Sequence, residues 1–282
     1  MDVTTAVENA TASAEAAVPA VVFDKVSFAF DEHVVLRDVS FSVPTGSMTM
    51  VLGASGAGKS ILLKLILGLF RPDAGTILVN GQRVDRMPER DLLRLRGDIG
   101  MVFQEIALFD SLTVAENVGY RLSEETNLPD EDVNRRVAEV LGFIGLGEYE
   151  TRKPSELSGG QRRRVAIARA MASKPSLLLF DDPTTGLDPV IATTVDDEIV
   201  KLRDLEQVTS IFVTHQIRDA FYVARHRAVK NDQLEIVSTD TERARFMVLH
   251  EGGIYFEGSG TELLASHDNY LREFLFMTLP PW

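Results

Sequence analysis

The chain has 282 residues, 45% of them apolar and 25% charged, with a formal net charge of −13. That length supports a sizeable core in one large domain or two. The acidic balance argues against a protein drawn to nucleic acid or to acidic membranes by its overall charge, since both need a basic footprint; local basic patches remain open, and Arg162-Arg163-Arg164 is one. The chain has no cysteine, which rules out disulfides and thiolate chemistry and fits a reducing compartment.

Residues 1 to about 20 carry no aromatic and no basic side chain, and they read as a disordered tail without the charged and apolar regions of a secretory signal. Short strands follow over Val21–Phe30, Val34–Val43 and Ser47–Gly53, then a helix from Lys59 to about Leu69. Asp73-Ala74-Gly75 reads as a turn into the strand Thr76–Val79, and Asn80-Gly81 as a second turn. A short helix over Arg90–Arg96 leads to the strand Ile99–Phe103, which stops at Gln104. Between about 105 and 157 the pattern becomes amphipathic helix, at Thr113–Leu122 and Asp130–Ile144, a helical insertion in an α/β domain. The most apolar helical stretch, Ile61–Phe70, is too short to span a membrane and carries Lys64.

Leu157–Gln161 opens a helix to about Ser173, and the apolar strand Leu177–Phe180 ends on Asp181 and Asp182. A helix follows Pro189, then the strand Thr209–Val213 ending at Thr214-His215, then a helix over Gln216–Ala224. From Arg225 the chain is β-rich, with a hairpin of Phe246–His250 and Ile254–Glu257 and a last helix over Asn269–Met277. The stretch Lys230–Arg245 is polar apart from Leu234 to Val237. It reads as a solvated surface hairpin, or as a contact for a regulatory subunit.

The motif with the clearest chemistry is Gly53-Ala54-Ser55-Gly56-Ala57-Gly58-Lys59-Ser60, which fits G-x-x-x-x-G-K-[ST] between strand and helix. Its glycines let successive N–H groups turn inward as an anion nest, and the following helix offers its positive end to the same phosphates. Lys59 would reach β- and γ-phosphates and the Ser60 hydroxyl would ligate Mg²⁺. In a largely parallel sheet, ligands gather at the carboxyl ends of strands, where Gln104, Asp181, Asp182 and His215 also fall. Asp181 has the place of a carboxylate holding Mg²⁺, Asp182 that of a base for the attacking water. Gln104 can bridge the two, and His215 can bond the γ-phosphate. Leu157-Ser158-Gly159-Gly160-Gln161 is a second anion site, with Ser158 as N-cap and glycines exposing backbone N–H groups.

Taken in this order, these motifs resemble the ATP-binding-cassette family, over about Val21 to Gly258. The resemblance implies a P-loop α/β fold: a RecA-like core, an antiparallel β subdomain and an inserted α-helical subdomain. The cassette would run over 21–260, with a helical extension over 261–282. It implies that Phe30 stacks on adenine, that Gly53–Ser60 is the Walker A loop and Gln104 the Q-loop glutamine. Asp181 would be the Walker B aspartate with Ser60 and Gln104 on Mg²⁺, Asp188 would close the D-loop, and His215 would be the switch histidine. Two chains would dimerise head to tail, with ATP on one chain's Walker A loop closed by Ser158, Gly159, Gly160 and Gln161 of the other. One departure stands out: the family usually has Glu where this chain has Asp182, which implies slow hydrolysis.

The run Ala107–Val118 and the ending Asp268–Leu275 are most similar to cassettes of the Mce/Mla type. Those energise lipid transport across the bacterial envelope. The resemblance therefore implies a cytoplasmic ATPase held at the inner face of the plasma membrane by two permease subunits. A small regulatory subunit and an envelope lipid-binding protein would complete the system, and no nucleic acid is involved. The alternatives are an importer cassette for another small solute, or a soluble cassette of the iron–sulfur-assembly or DNA-repair kind.

Overall fold

The computed structural model describes residues 18–230 and 234–278, so the expected tail lies almost wholly outside the described residues. Its last residue, Ala20, is packed: it is buried, its N–H donates to the Val43 carbonyl, and its own carbonyl accepts from Asn80. Strands β1 (Val21–Phe30) and β2 (His33–Val43) pair antiparallel; β3 (Met48–Leu52) leads through the glycine-rich loop into α1 (Lys59–Ile66). β4 (Ala74–Val79) and β5 (Gln82–Arg83) complete a four-stranded antiparallel sheet in the order β2-β1-β4-β5.

In this first part of the chain two boundaries differ from the sequence expectation by more than one residue. Ala74 and Gly75 belong to β4 rather than to a turn, and α1 stops at Ile66 rather than near Leu69. The second difference has a local cause. Gly68 takes φ +62°, Leu69 N donates to Lys64 O, and Gly68 N donates to Leu65 O, which is the Schellman closure of a helix.

Helix α2 (Glu89–Gly97) precedes β6 (Ile99–Val102), and α3 (Val114–Glu125) and α4 (Asp130–Phe143) form the helical insertion. Thr113 caps α3 reciprocally with Glu116. After α5 (Gly159–Ala172) the chain alternates β7 (Leu177–Asp181), α6 (Pro189–Lys201), β8 (Thr209–Thr214) and α7 (Ile217–Arg225). The hairpin β9 (His226–Lys230) and β10 (Leu234–Ser238) begins before the predicted insertion and forms its own two-stranded sheet. β11 (Arg245–His250) and β12 (Gly253–Gly258) are the expected hairpin, followed by α8 (Gly260–Leu264) and α9 (Asn269–Thr278). Among the described residues no helix is long and apolar enough to cross a membrane.

The central sheet has the order β12-β11-β3-β8-β7-β6, parallel from β11 to β6. Its strands read as unbroken apolar runs because both faces are covered. Alternate residues divide between two cores. Met50, Leu52, Phe180, Phe212 and Val248 face the side of α3–α7, while Val51, Leu179, Ile211, Val213 and Leu249 face α1 and the antiparallel sheet. Each such side chain contributes about 1.5–3 kcal/mol on burial. Strands held this firmly on both faces bring their carboxyl ends, where the polar residues begin, to one rim of the sheet.

Candidate nucleotide site

At that rim a cleft of about 450 Å³ is lined by Phe30, Ser55, Gly56, Gly58, Lys59, Ser60, Gln104, Asp182 and His215. The structure thus gathers residues from five separate stretches of the chain. Phe30 is 44% exposed and is braced edge-on by Phe28 and Phe70, with centroids 4.9 and 5.5 Å away. Gly53 and Ala54 line an adjoining cleft with Ser55, His215 and Tyr270. Ala57 donates its N–H to Ala54 O and packs inward on the core.

All three glycines of the loop resist substitution. A Cβ on Gly53 would lie 2.6 Å from the Leu249 carbonyl oxygen, and Gly56 and Gly58 have φ +83° and +98°. Gly58 is the N-cap of α1, and no side chain caps that helix. Thr113, Ser158, Asp188 and Ser259 cap α3, α5, α6 and α8, whereas α2, α4 and α7 open without a side-chain cap, as α1 does. The first-turn N–H groups of α1 are left as donors at the cleft, with the positive end of the helix behind them. That arrangement fits phosphate.

Lys59 Nζ donates to the carbonyls of Gly53 (2.8 Å) and Ala54 (3.0 Å), holding the ammonium inside the loop. Burial pushes its pKa down, opposed by the nearby carboxylates of Asp182 and Asp181. Ser60 Oγ donates to Asp181 Oδ1 at 2.8 Å, so the two groups read as Mg²⁺ ligands are already adjacent. Burial raises the Asp181 pKa, against the Ser60 hydrogen bond that lowers it. Hydroxyl, carboxylate and the Gln104 amide are hard oxygen donors of the kind Mg²⁺ takes.

Asp182 adopts φ +43°, a left-handed backbone that Asp tolerates better than most residues. Its Oδ1 accepts from both the backbone N (3.0 Å) and Nδ1 (2.9 Å) of His215. The carboxylate can only accept there, so Nδ1 carries a proton and the ring's Nε2 edge is the one free to face a ligand. Sequence reasoning assigned these residues separate roles and did not foresee that they are bonded to each other.

The remaining predicted residues stand apart from this cleft. Ser158 Oγ accepts from Gln161 N (3.3 Å) and Gln161 Oε1 accepts from Ser158 N (2.9 Å), a capping box at the start of α5. A Cβ on Gly160 would sit 2.3 Å from Ile191 Cγ2, so that glycine is needed for α5 to meet α6. Gly159 lies beside Leu187, and Asp188 Oδ1 caps α6 by accepting from Val190 N and Ile191 N.

Several organising residues went unread in the sequence. Arg162, Arg163 and Arg164 form no basic patch; their guanidiniums donate to backbone carbonyls, and Arg163 is buried. Fully buried Asn117 accepts from Phe109 N and donates to the carbonyls of Phe109, Leu112 and Thr113, shaping the loop before α3. A helical period that places these side chains among Ala, Val and Ile was the available signal.

A family profile described as ABC transporter matches residues 36–185, and the chain belongs to that family: it is an ATP-binding-cassette ATPase domain, of a class that binds ATP with Mg²⁺. It is 38% identical over 247 residues to the sulfate/thiosulfate import ATP-binding protein CysA of Mycobacterium tuberculosis, covering 87% of this chain and 63% of that one. It is 46% identical over 191 residues to the methionine import ATP-binding protein MetN 1 of Rhodopseudomonas palustris, covering 66% and 50%. It is 36% identical over 262 residues to the chloroplastic protein trigalactosyldiacylglycerol 3 of Arabidopsis thaliana, covering 87% and 70%. The chain thus spans about 63% of the length of the CysA relatives. Among solved structures it is similar to a dimeric bacterial ABC transporter cassette, with TM-score 0.71 and 28% identity over 85% of this chain and 98% of that one. It also resembles cbiO1 of Clostridium perfringens, part of the ABC transporter complex cbiONQ, with TM-score 0.75 and 25% identity over 93% and 96%.

Proposed function

We propose that this chain is the ATP-hydrolysing subunit of a lipid transporter of the Mce/Mla type, working as a head-to-tail pair beneath two permease subunits at the inner face of the bacterial plasma membrane. The observation that carries the nucleotide site is the uncapped start of α1, with Lys59 held in the loop and Ser60 paired to Asp181. Lys59 and the α1 N–H groups bind the β- and γ-phosphates. Phe30 receives the adenine ring. Ser60, Asp181 and Gln104 would hold Mg²⁺, which would supply charge neutralisation at the phosphates. Asp182 accepts the proton of the attacking water through the carboxylate oxygen that His215 does not use, while His215 presents its other ring edge to the γ-phosphate. Gln104 orients the water.

Pairing follows from the second anion site. In one chain Ser158–Gln161 and Asp188 lie outside the nucleotide cleft, which supports their meeting a nucleotide held by a second copy. Lys59→Ala and Ser158→Arg chains should each be nearly inactive; mixed, random pairing restores at most about a quarter of the parent rate, the ceiling reached when the one intact site of a mixed pair turns over alone. No recovery in proven mixed pairs would count against the composite site or against one intact site turning over alone.

A groove of about 910 Å³ beside the Q-loop, lined by Phe103, Phe109, Tyr120 and Arg121 among others, offers a surface for a permease helix. The lipid cargo is supported by the Leu108–Val118 run, by the Asp268–Leu275 ending, and by a relative named for a galactolipid. The second reading, import of a small solute, is favoured by the relatives named for sulfate and methionine import. Deleting the chain separates them. Altered phospholipid distribution between membranes or a leaky envelope supports lipid transport, and an intact envelope with lost uptake of a small nutrient overturns it.

A further inference from the structure

Helix α5 begins at the signature serine and carries arginines that reach sideways into neighbouring loops. Arg163 is the deepest, at 3% exposure. Its Nη1 donates to the carbonyls of Phe103 (2.8 Å) and Gln104 (2.8 Å), and its Nη2 to the carbonyl of Thr185 (3.2 Å). Further along α5, Arg169 donates to the carbonyls of Ala107 (2.7 Å) and Ile106 (3.5 Å). The loop holding Gln104 is therefore gripped at both ends by one helix. The carbonyl that precedes Gly186, at the start of the turn to Asp188, hangs on the same guanidinium as Gln104.

The acceptors are all main-chain oxygens. A side chain can rotate away from a partner, whereas a carbonyl moves only with its backbone. Arginine alone among the side chains presents a rigid planar fork of five donors, enough to hold three separate carbonyls at once. Arg163 Nε is buried and has no partner, so the fork has a donor to spare if one of the loops shifts.

We infer that Arg163 is a positioning residue that makes Gln104, the signature residues Ser158–Gly160 and the turn to Asp188 move as one body. Gln104 belongs to the cleft of its own chain; the other two face the cleft of the partner. ATP entering one cleft thereby sets the place of the groups offered to the other, and hydrolysis in the pair becomes cooperative. The inference rests on the reading that the chain hydrolyses ATP as a head-to-tail pair.

The test compares the full-length parent with Arg163→Met and Arg163→Lys, measuring the Kd for a fluorescent ATP analogue, kcat, the Hill coefficient for ATP and Tm. In Arg163→Met the Kd stays within about threefold of the parent, because no residue touching the nucleotide changes. Its kcat falls at least about tenfold, the scale of a displaced catalytic group, and the Hill coefficient drops to 1. Arg163→Lys, which keeps a charge and donors but cannot span three carbonyls, recovers part of both. Parent-like kcat and Hill coefficient in Arg163→Met would overturn the inference. So would a joint fall of affinity, kcat and Tm that Arg163→Lys does not relieve, since that marks a structural role alone. A parent that neither binds nor hydrolyses ATP refutes the transport reading itself and this inference with it.

Discussion

The two anion sites of this chain are built in opposite ways. Around Gly53–Ser60 the protein leaves polar capacity unspent: α1 opens without a side-chain cap and its first N–H groups face a cleft. At Ser158–Gln161 the capacity is spent at home, because Ser158 and Gln161 satisfy each other across the start of α5. A helix end that lacks its own cap has to find a ligand, water or another partner for its donors. A capped one can wait. On the proposed reading, the first site binds phosphate in a single chain, while the second adds contacts to a nucleotide held by another copy.

Removing the cation from the open site should have the largest effect. Lys59→Ala is expected to lower ATP hydrolysis by about 10²–10³-fold or more, the usual loss when one preorganised charge-stabilising donor is deleted. Phosphate release at saturating Mg²⁺-ATP measures it, and near-normal turnover would erase the contrast between the sites.

Next comes Asp182, which lies in the open site but is already bonded to His215. Its carboxylate is one methylene shorter than the usual Glu, on the order of 1 Å, and misplacement of that size costs about a hundredfold where catalysis is positioning. Asp182→Asn should cut hydrolysis by about that much again while leaving ATP bound, trapping the paired state on size-exclusion chromatography. Asp182→Glu should keep or raise the rate. Equal rates for parent and Asp182→Asn would remove Asp182 from water activation.

A smaller effect tests the capped site as a structural element. Gly160→Ala puts a methyl group 2.3 Å from Ile191 Cγ2, and overpacking of this kind costs about 1–3 kcal/mol. Chemical denaturation should show the loss, with nucleotide affinity of the open cleft unchanged. If affinity falls with stability, the two sites are not separable in the way proposed.

The smallest effect lies behind the capped side, in α6. Asp196 is fully buried, neither carboxylate oxygen has a hydrogen-bond partner, and burial followed by the nearby Asp219 holds its pKa well above the ordinary value. The unfolded chain gives up that proton first, so stability falls as pH rises between the ordinary carboxylate value and the raised one. Asp196→Asn has no such proton to lose. Its Tm should match the parent near pH 4 and pull ahead of it as pH rises toward 8. A constant offset across that range would place the cause elsewhere.

The open site was largely legible because its requirements are local. A phosphate loop needs glycines, a lysine and a hydroxyl at fixed spacing, and strand ends announce themselves where an apolar run stops, as at Gln104, Asp181 and His215. Helix starts at Thr113 and Ser158 were readable for the same reason: a capping box is satisfied within four residues. Local rules also set the limits. The early stop of α1 depends on Gly68 turning left-handed, which its sequence allows but does not require.

By itself, then, the sequence determined the alternation of strands and helices, the glycine-rich loop between β3 and α1, the carboxylates and histidine at strand ends, and the capped start of α5. The tertiary structure alone decided which of these meet. Asp182 reaches His215 from 33 residues away, and Arg163 reaches Gln104 from 59. Contacts at that separation are written in the stacking of β7 against β8 and of α5 against the Q-loop, where backbone carbonyls with no sequence signature serve as the partners. Any residue can supply a carbonyl, so no motif could have announced that three arginines after the signature would be spent on holding loops in place.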